Sequence, residues 1–171
     1  MIDSYMAKPT KYAPHICTAC TLIALLGIVL GFVYSAPIIP VLFLLPAAFY
    51  EAYRTEGKYT KQASYILVIV LIAELLLVLF NVNFNIAEFL GAERKMVGGY
   101  WVPLGDLKIV GPTVIAILSI VLFSRTRGIY TRWLAVVIFI TSFAIVYMMD
   151  PIVFQDLLKY GLNEGLNNIS I

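Results

Sequence analysis

Between Lys11 and Glu51 the chain carries no charged residue. At the helical rise that run would extend roughly 58 Å, about twice a hydrocarbon core, so it must cross a bilayer, turn and cross back. Three further apolar runs follow near Ser64–Val82, Leu107–Ser124 and Thr131–Met149, each long enough for one crossing. The pattern predicts an all-α integral membrane protein: a bundle of five transmembrane helices over about 17–34, 37–53, 63–82, 107–124 and 131–149, forming a single domain from 1 to 171.

Punctuation between the runs refines this picture. Tyr34-Ser35-Ala36 reads as a tight turn that sets the first two spans antiparallel, and Pro37 suits the first position of the second helix. Pro46 falls inside that helix and is expected to kink it near Leu42. Gly27 and Gly31, a Gly-x-x-x-Gly pair, lie on one face of the first span, where a neighbouring backbone can approach closely; the second span is the expected neighbour. Glu51–Gln62 reads as a polar loop. The longest connection, Asn83–Asp106, mixes charge with Phe84, Ile86, Phe89, Leu90, Tyr100 and Trp101. Helical spacing of Ile86, Phe89 and Leu90 predicts a short interfacial helix there, with a turn at Gly98-Gly99 and ring anchoring by Tyr100-Trp101. Gly111-Pro112 should bend the start of the fourth span. Asp150-Pro151 should cap a second interfacial helix over 151–160, with Val153, Phe154, Leu157 and Leu158 on its apolar side.

Composition sharpens the class rather than changing it. With 61% hydrophobic and 13% charged residues and a mean hydropathy of +0.92, the chain is far too apolar for an ordinary soluble domain. A net charge of +2, with scattered basic residues, argues against nucleic acid as a partner. No cleavable leader is expected; the first span should serve as the insertion signal. Five crossings would put Lys8, Lys11, Arg54, Lys58, Lys61, Arg125, Arg127 and Arg132 on one face, against Arg94, Lys95, Lys108 and Lys159 on the other. The positive-inside bias then predicts a multi-pass cell-membrane protein with a cytoplasmic N-terminus and an outer C-terminus.

Two clusters could carry chemistry. Glu74 stands alone in the apolar stretch Ile66–Phe80, near the middle of the third span as predicted. A carboxylate at that depth costs roughly 2.5–3.5 kcal/mol, so it should face the bundle interior or hold its proton. Thr141 and Ser142, central in the fifth span, and Ser119 in the fourth are candidate hydrogen-bond partners. Such a group is either a proton-handling point or a packing hydrogen bond. The second cluster is His15-Ile16-Cys17-Thr18-Ala19-Cys20, which holds the only histidine and both cysteines. His15, Cys17 and Cys20 have the donor types for a Cu or Zn ion, though a closed structural zinc site needs a fourth ligand. The Cys pair could also be redox-active, but thiol exchange needs a second pair that the chain lacks. The alternative is that both cysteines are small apolar residues at a helix start. No cofactor is required by the sequence; phosphate loops, dinucleotide fingerprints and paired haem histidines are absent.

Three functional expectations follow. The first is a non-catalytic accessory subunit of a larger membrane complex, of the energy-converting or metal-dependent oxidoreductase kind. It would dock on partners through Gly27/Gly31 and the loop residues Phe84, Phe89, Tyr100 and Trp101. The second is a small proton- or ion-coupled transporter or channel centred on Glu74. The third is a thiol or metal protein using His15, Cys17 and Cys20. The bilayer and other membrane subunits are the expected partners.

Overall fold

The computed structural model describes residues 11–82, 95–97, 100–102, 107–151 and 154–155. Among them are five helices: α1 (Ala13–Tyr34), α2 (Ile38–Arg54), α3 (Lys58–Leu79), α4 (Leu107–Arg125) and α5 (Ile129–Met149). Four of these, all but α2, are long and apolar enough to cross a membrane. The 17 residues of α2 extend about 26 Å, slightly less than a hydrocarbon core.

What makes one side of each helix the inner side is residue size as much as polarity. The buried positions of α1 are Ala13, Cys17, Cys20, Ala24, Gly27 and Gly31, an alternating four-and-three spacing occupied only by small side chains. Leu22, Leu25, Leu26 and Val29 of the same helix are exposed, as expected for a surface facing acyl chains. In α2 the stripe runs Val41, Leu44, Ala48 and Glu51, and in α3 it runs Ser64, Leu67, Leu71 and Glu74. Both stripes end on a carboxylate.

Packing follows from these stripes. α1 lies against α2 and α5; α2 also packs on α3 and α5; α4 bridges α3 and α5. The helices thus form a ring in chain order, closed by α1 on α5 and crossed by the α2–α5 contact. Leu44, Leu67, Leu71, Ile115, Leu122, Leu134, Ile138 and Ile145 fill its interior.

Local chemistry sets the boundaries. Ser35 closes α1 in the left-handed region at φ 50°, and the Ala36 amide donates to the Gly31 carbonyl at 3.0 Å, turning the chain directly into α2. Pro37 is the cap residue before α2 rather than its first helical residue, a shift of one position. α2 is one helix through Pro46, and α4 is one helix through Pro112. α3 starts after Gly57, at φ 100°, so the polar residues Lys58–Gln62 belong to the helix and not to the preceding loop. Asn81, at φ 48°, follows α3, and its side-chain carbonyl accepts from Lys108 Nζ at 2.8 Å, tying the ends of α3 and α4.

Part of the long connection is extended. β1 (Lys95–Val97) pairs antiparallel with β2 (Tyr100–Val102), Met96 opposite Trp101, with two residues between the strands. Valine, tyrosine and tryptophan suit a pleated ribbon around a glycine pair. The interfacial helix expected around Ile86–Leu90 lies outside the described residues, as do Phe84 and Phe89. Beyond α5, Pro151, Phe154 and Gln155 are helical, with the Phe154 amide donating to the Asp150 carbonyl at 3.2 Å; the remainder of that expected helix lies outside the described residues.

Candidate functional site

Two buried carboxylates mark the places where chemistry could reside, and they sit near opposite ends of the bundle. Ser64, which lies beside Glu51, and Glu74 are ten residues apart on α3, about 15 Å along its axis.

Glu74 is only 1% exposed. Because α3 begins at Lys58 and ends at Leu79, this residue lies in the last turns of the helix instead of at its middle. Its carboxyl is seated on the backbone of α4 at Gly111. A β-carbon at that position would come within 2.0 Å of Glu74 Oε2 and 2.9 Å of Cδ. Gly111 is therefore the seat for the acid, and a side chain there would compete for the same space. Thr141 and Ser142 do not share this seat. They are buried on α5, whose main neighbours are α4, α1 and α2, and their hydroxyls donate to Val137 and Ile138 carbonyls at 2.8 Å each. Ser119 likewise donates to Ala116 at 2.6 Å. Hydroxyls in apolar helices satisfy themselves on their own backbone when no better acceptor faces them.

The other carboxylate was hidden in what the sequence presents as a loop. Glu51 is fully buried one turn before the end of α2. Thr55 donates its hydroxyl to Glu51 Oε1, and its amide donates to the Glu51 carbonyl at 2.8 Å. Ser64, buried near the start of α3, lies beside the carboxyl while its hydroxyl donates to the Thr60 carbonyl at 3.1 Å. Around the same end, the Arg54 guanidinium lies 5.9 Å from the Tyr50 ring and 5.5 Å from the Tyr130 ring of α5. Cys17 of α1 completes the group, its thiol 3.9 Å from the Tyr130 carbonyl oxygen. Four helices thus meet through polar side chains at one end. The signal for Glu51 was available: it is the next position in the stripe Val41, Leu44, Ala48.

The Thr55 hydroxyl on a buried carboxyl has a measurable consequence. Glu51→Ala leaves the buried Thr55 hydroxyl without its acceptor and should cost about 1–3 kcal/mol. Glu51→Gln keeps an acceptor oxygen and should cost well under half as much. Thermal unfolding in detergent, followed by circular dichroism, reads the difference; equal losses would mean that the acceptor oxygen kept by glutamine does not hold the site.

His15, Cys17 and Cys20 are not brought together. His15 is exposed on the outside of α1, whereas both cysteines are free thiols facing α2 and α5 within the small-residue stripe. Among the described residues no three histidine, cysteine or acidic side chains gather as a metal site would require. Gly27 and Gly31 are covered within the chain itself. Their hypothetical β-carbons would lie 2.4 Å from Phe43 Cβ and 2.8 Å from Pro40 Cδ, with Met148 of α5 also over Gly31. That face is therefore occupied by α2 and α5 and is not open to a partner. Tyr100 and Trp101 lie on β2.

No protein-family model matches this chain, and no curated protein or solved structure matches it either.

Proposed function

We propose that the chain is a non-catalytic, structural subunit of a larger membrane complex, crossing the bilayer five times with its N-terminus in the cytoplasm. The observation that carries this reading is the interior between Glu51 and Glu74. It is filled by fully buried leucines and isoleucines, and its hydroxyls are committed to their own helices. Protons and ions move along connected polar groups, and this packing supports a stiff scaffold over a conduit. The orientation is supported by the distribution of charge. Lys11, Arg54, Lys58, Lys61, Arg125, Arg127 and Arg132 all fall at the end of the bundle where α1 begins and α2 finishes. Although short, α2 lies between α1 and α3 with buried positions along its length, which favours a crossing over a shallow dip.

The docking surface in this reading is the connection from Phe84 to Trp101, which combines aromatic and charged residues; the glycine face of α1 plays no part in it. A complex of the energy-converting or metal-dependent oxidoreductase kind is assigned by analogy with other small apolar subunits.

Gentle solubilisation followed by affinity purification should recover the chain in fixed stoichiometry with other membrane proteins. Recovery as a lone monomer or a homo-oligomer would overturn the reading. The competing transporter reading is separated by reconstitution: purified chain in proteoliposomes should pass no protons, and Glu74→Gln should change nothing. A flux that this substitution removes would replace the scaffold with a proton path. Labelling of single cysteines introduced near each terminus should find the two ends on opposite membrane faces.

A further inference from the structure

The outer surface between α4 and α5 contains an apolar groove of about 190 Å³ lined by Ser119, Ile120, Phe123, Ala135, Val136 and Phe139. Its floor is made by the small buried residues Ser119 and Ala135, and the larger side chains form its walls. The floor offers no competing donor, because the Ser119 hydroxyl is bonded to Ala116. One end of the groove opens toward the α4–α5 turn. There Arg132, one helical turn before Val136, donates from Nε to the Thr126 carbonyl at 2.8 Å, and its guanidinium sits 5.9 Å from the Phe123 ring. A backbone bond and an aromatic neighbour thus hold this planar cation at the groove mouth. Arg125 and Arg127 are exposed beside it, and no acidic residue occurs anywhere between Asp106 and Asp150.

We propose that this site binds an anionic phospholipid, with one acyl chain in the groove and the phosphate on Arg132. A guanidinium presents paired donors to phosphate oxygens, and a site within a turn of the end of α4 lies at headgroup depth. Three unbalanced arginines favour a lipid with net negative charge over one whose phosphate is neutralised by choline. The site involves neither carboxylate cluster and does not depend on the scaffold role.

Native mass spectrometry of the full chain, offered equal amounts of phosphatidylglycerol and phosphatidylcholine with identical acyl chains, tests this. Phosphatidylglycerol should be retained about fivefold more. Arg132→Gln should bring the ratio near one, and Arg132→Lys should keep part of it. Val136→Trp, which blocks the groove from an exposed wall, should reduce retention of both lipids. Lys58→Gln with Lys61→Gln, on α3 at the same end of the bundle, should leave the ratio unchanged. Glycerol phosphate alone should not displace the bound lipid. Equal retention by the unaltered chain would overturn the site. So would an unchanged ratio in Arg132→Gln, a control loss as large as that of Arg132→Gln, unaffected retention in Val136→Trp, or displacement by glycerol phosphate.

Discussion

Leucine at both Gly27 and Gly31 should detach α1 from α2 and leave the chain unable to hold a monodisperse bundle in mild detergent. The reason is the immobility of what covers them. Phe43 Cβ, 2.4 Å from the place a Gly27 β-carbon would take, is fixed to the α2 backbone, and Pro40 Cδ, 2.8 Å from the equivalent point at Gly31, belongs to a closed ring. Neither can swing aside by changing rotamer, whereas Met148 on the far side of Gly31 can. Overpacking of this kind costs about 1–3 kcal/mol per site. Because both glycines meet Pro40, the two losses should not simply add. Gly27→Leu should be the more damaging single change. Size-exclusion profiles and unfolding temperatures of both single variants and the pair check the order; a Gly27→Leu protein as stable as the parent would show that α1 does not pack here.

Gly111→Ala should destabilise the bundle even though alanine is the better helix former. In an open helical position the exchange would be worth up to about 1 kcal/mol in favour of alanine. Here the new methyl group would compete with the Glu74 carboxyl, whose Oε2 is 2.0 Å from its position, and the buried acid would have to leave its seat. The steric cost should be about 1–3 kcal/mol, leaving a net loss of up to about 2 kcal/mol once the preference of the helix for alanine is subtracted. In a Glu74→Ala background the same change should become neutral or mildly stabilising, since the competitor is gone. The double-mutant cycle, read from unfolding midpoints in detergent, should therefore show a coupling of about 1–3 kcal/mol. Independent effects would mean that Gly111 and Glu74 do not share this space, and would remove the structural role assigned to the acid.

The contrast between the two carboxylates shows what a pattern of residues reveals. Glu74 is conspicuous because apolar residues surround it on both sides in sequence, so its inward orientation follows from cost alone. Glu51 belongs to the polar-looking stretch before Arg54 and reads as the start of a loop. Its burial becomes visible only when the spacing of Val41, Leu44 and Ala48 is continued by one step. The cysteines read two ways. Set beside the single histidine they suggest ligands, yet Ala13, Ala24, Gly27 and Gly31 continue the same spacing and place them in a packing seam. The strand pair at 95–97 and 100–102 is carried by β-favouring valine, tyrosine and tryptophan, a signal too short to stand out beside the glycine pair.

Sequence alone determined that several long apolar helices are present, where the turns between them fall, and that basic residues gather toward alternate connections. Those features depend on length, charge and backbone restriction, which are local. Tertiary structure decided which side of each helix is inside, that α2 and α5 cross the ring, and which acids and hydroxyls meet. In helices apolar on every side, polarity offers no contrast between lipid and protein, so the inner face is chosen by close fit among small residues and by the neighbour that each polar group happens to face. Fit is a property of pairs of helices, and no single helix carries it.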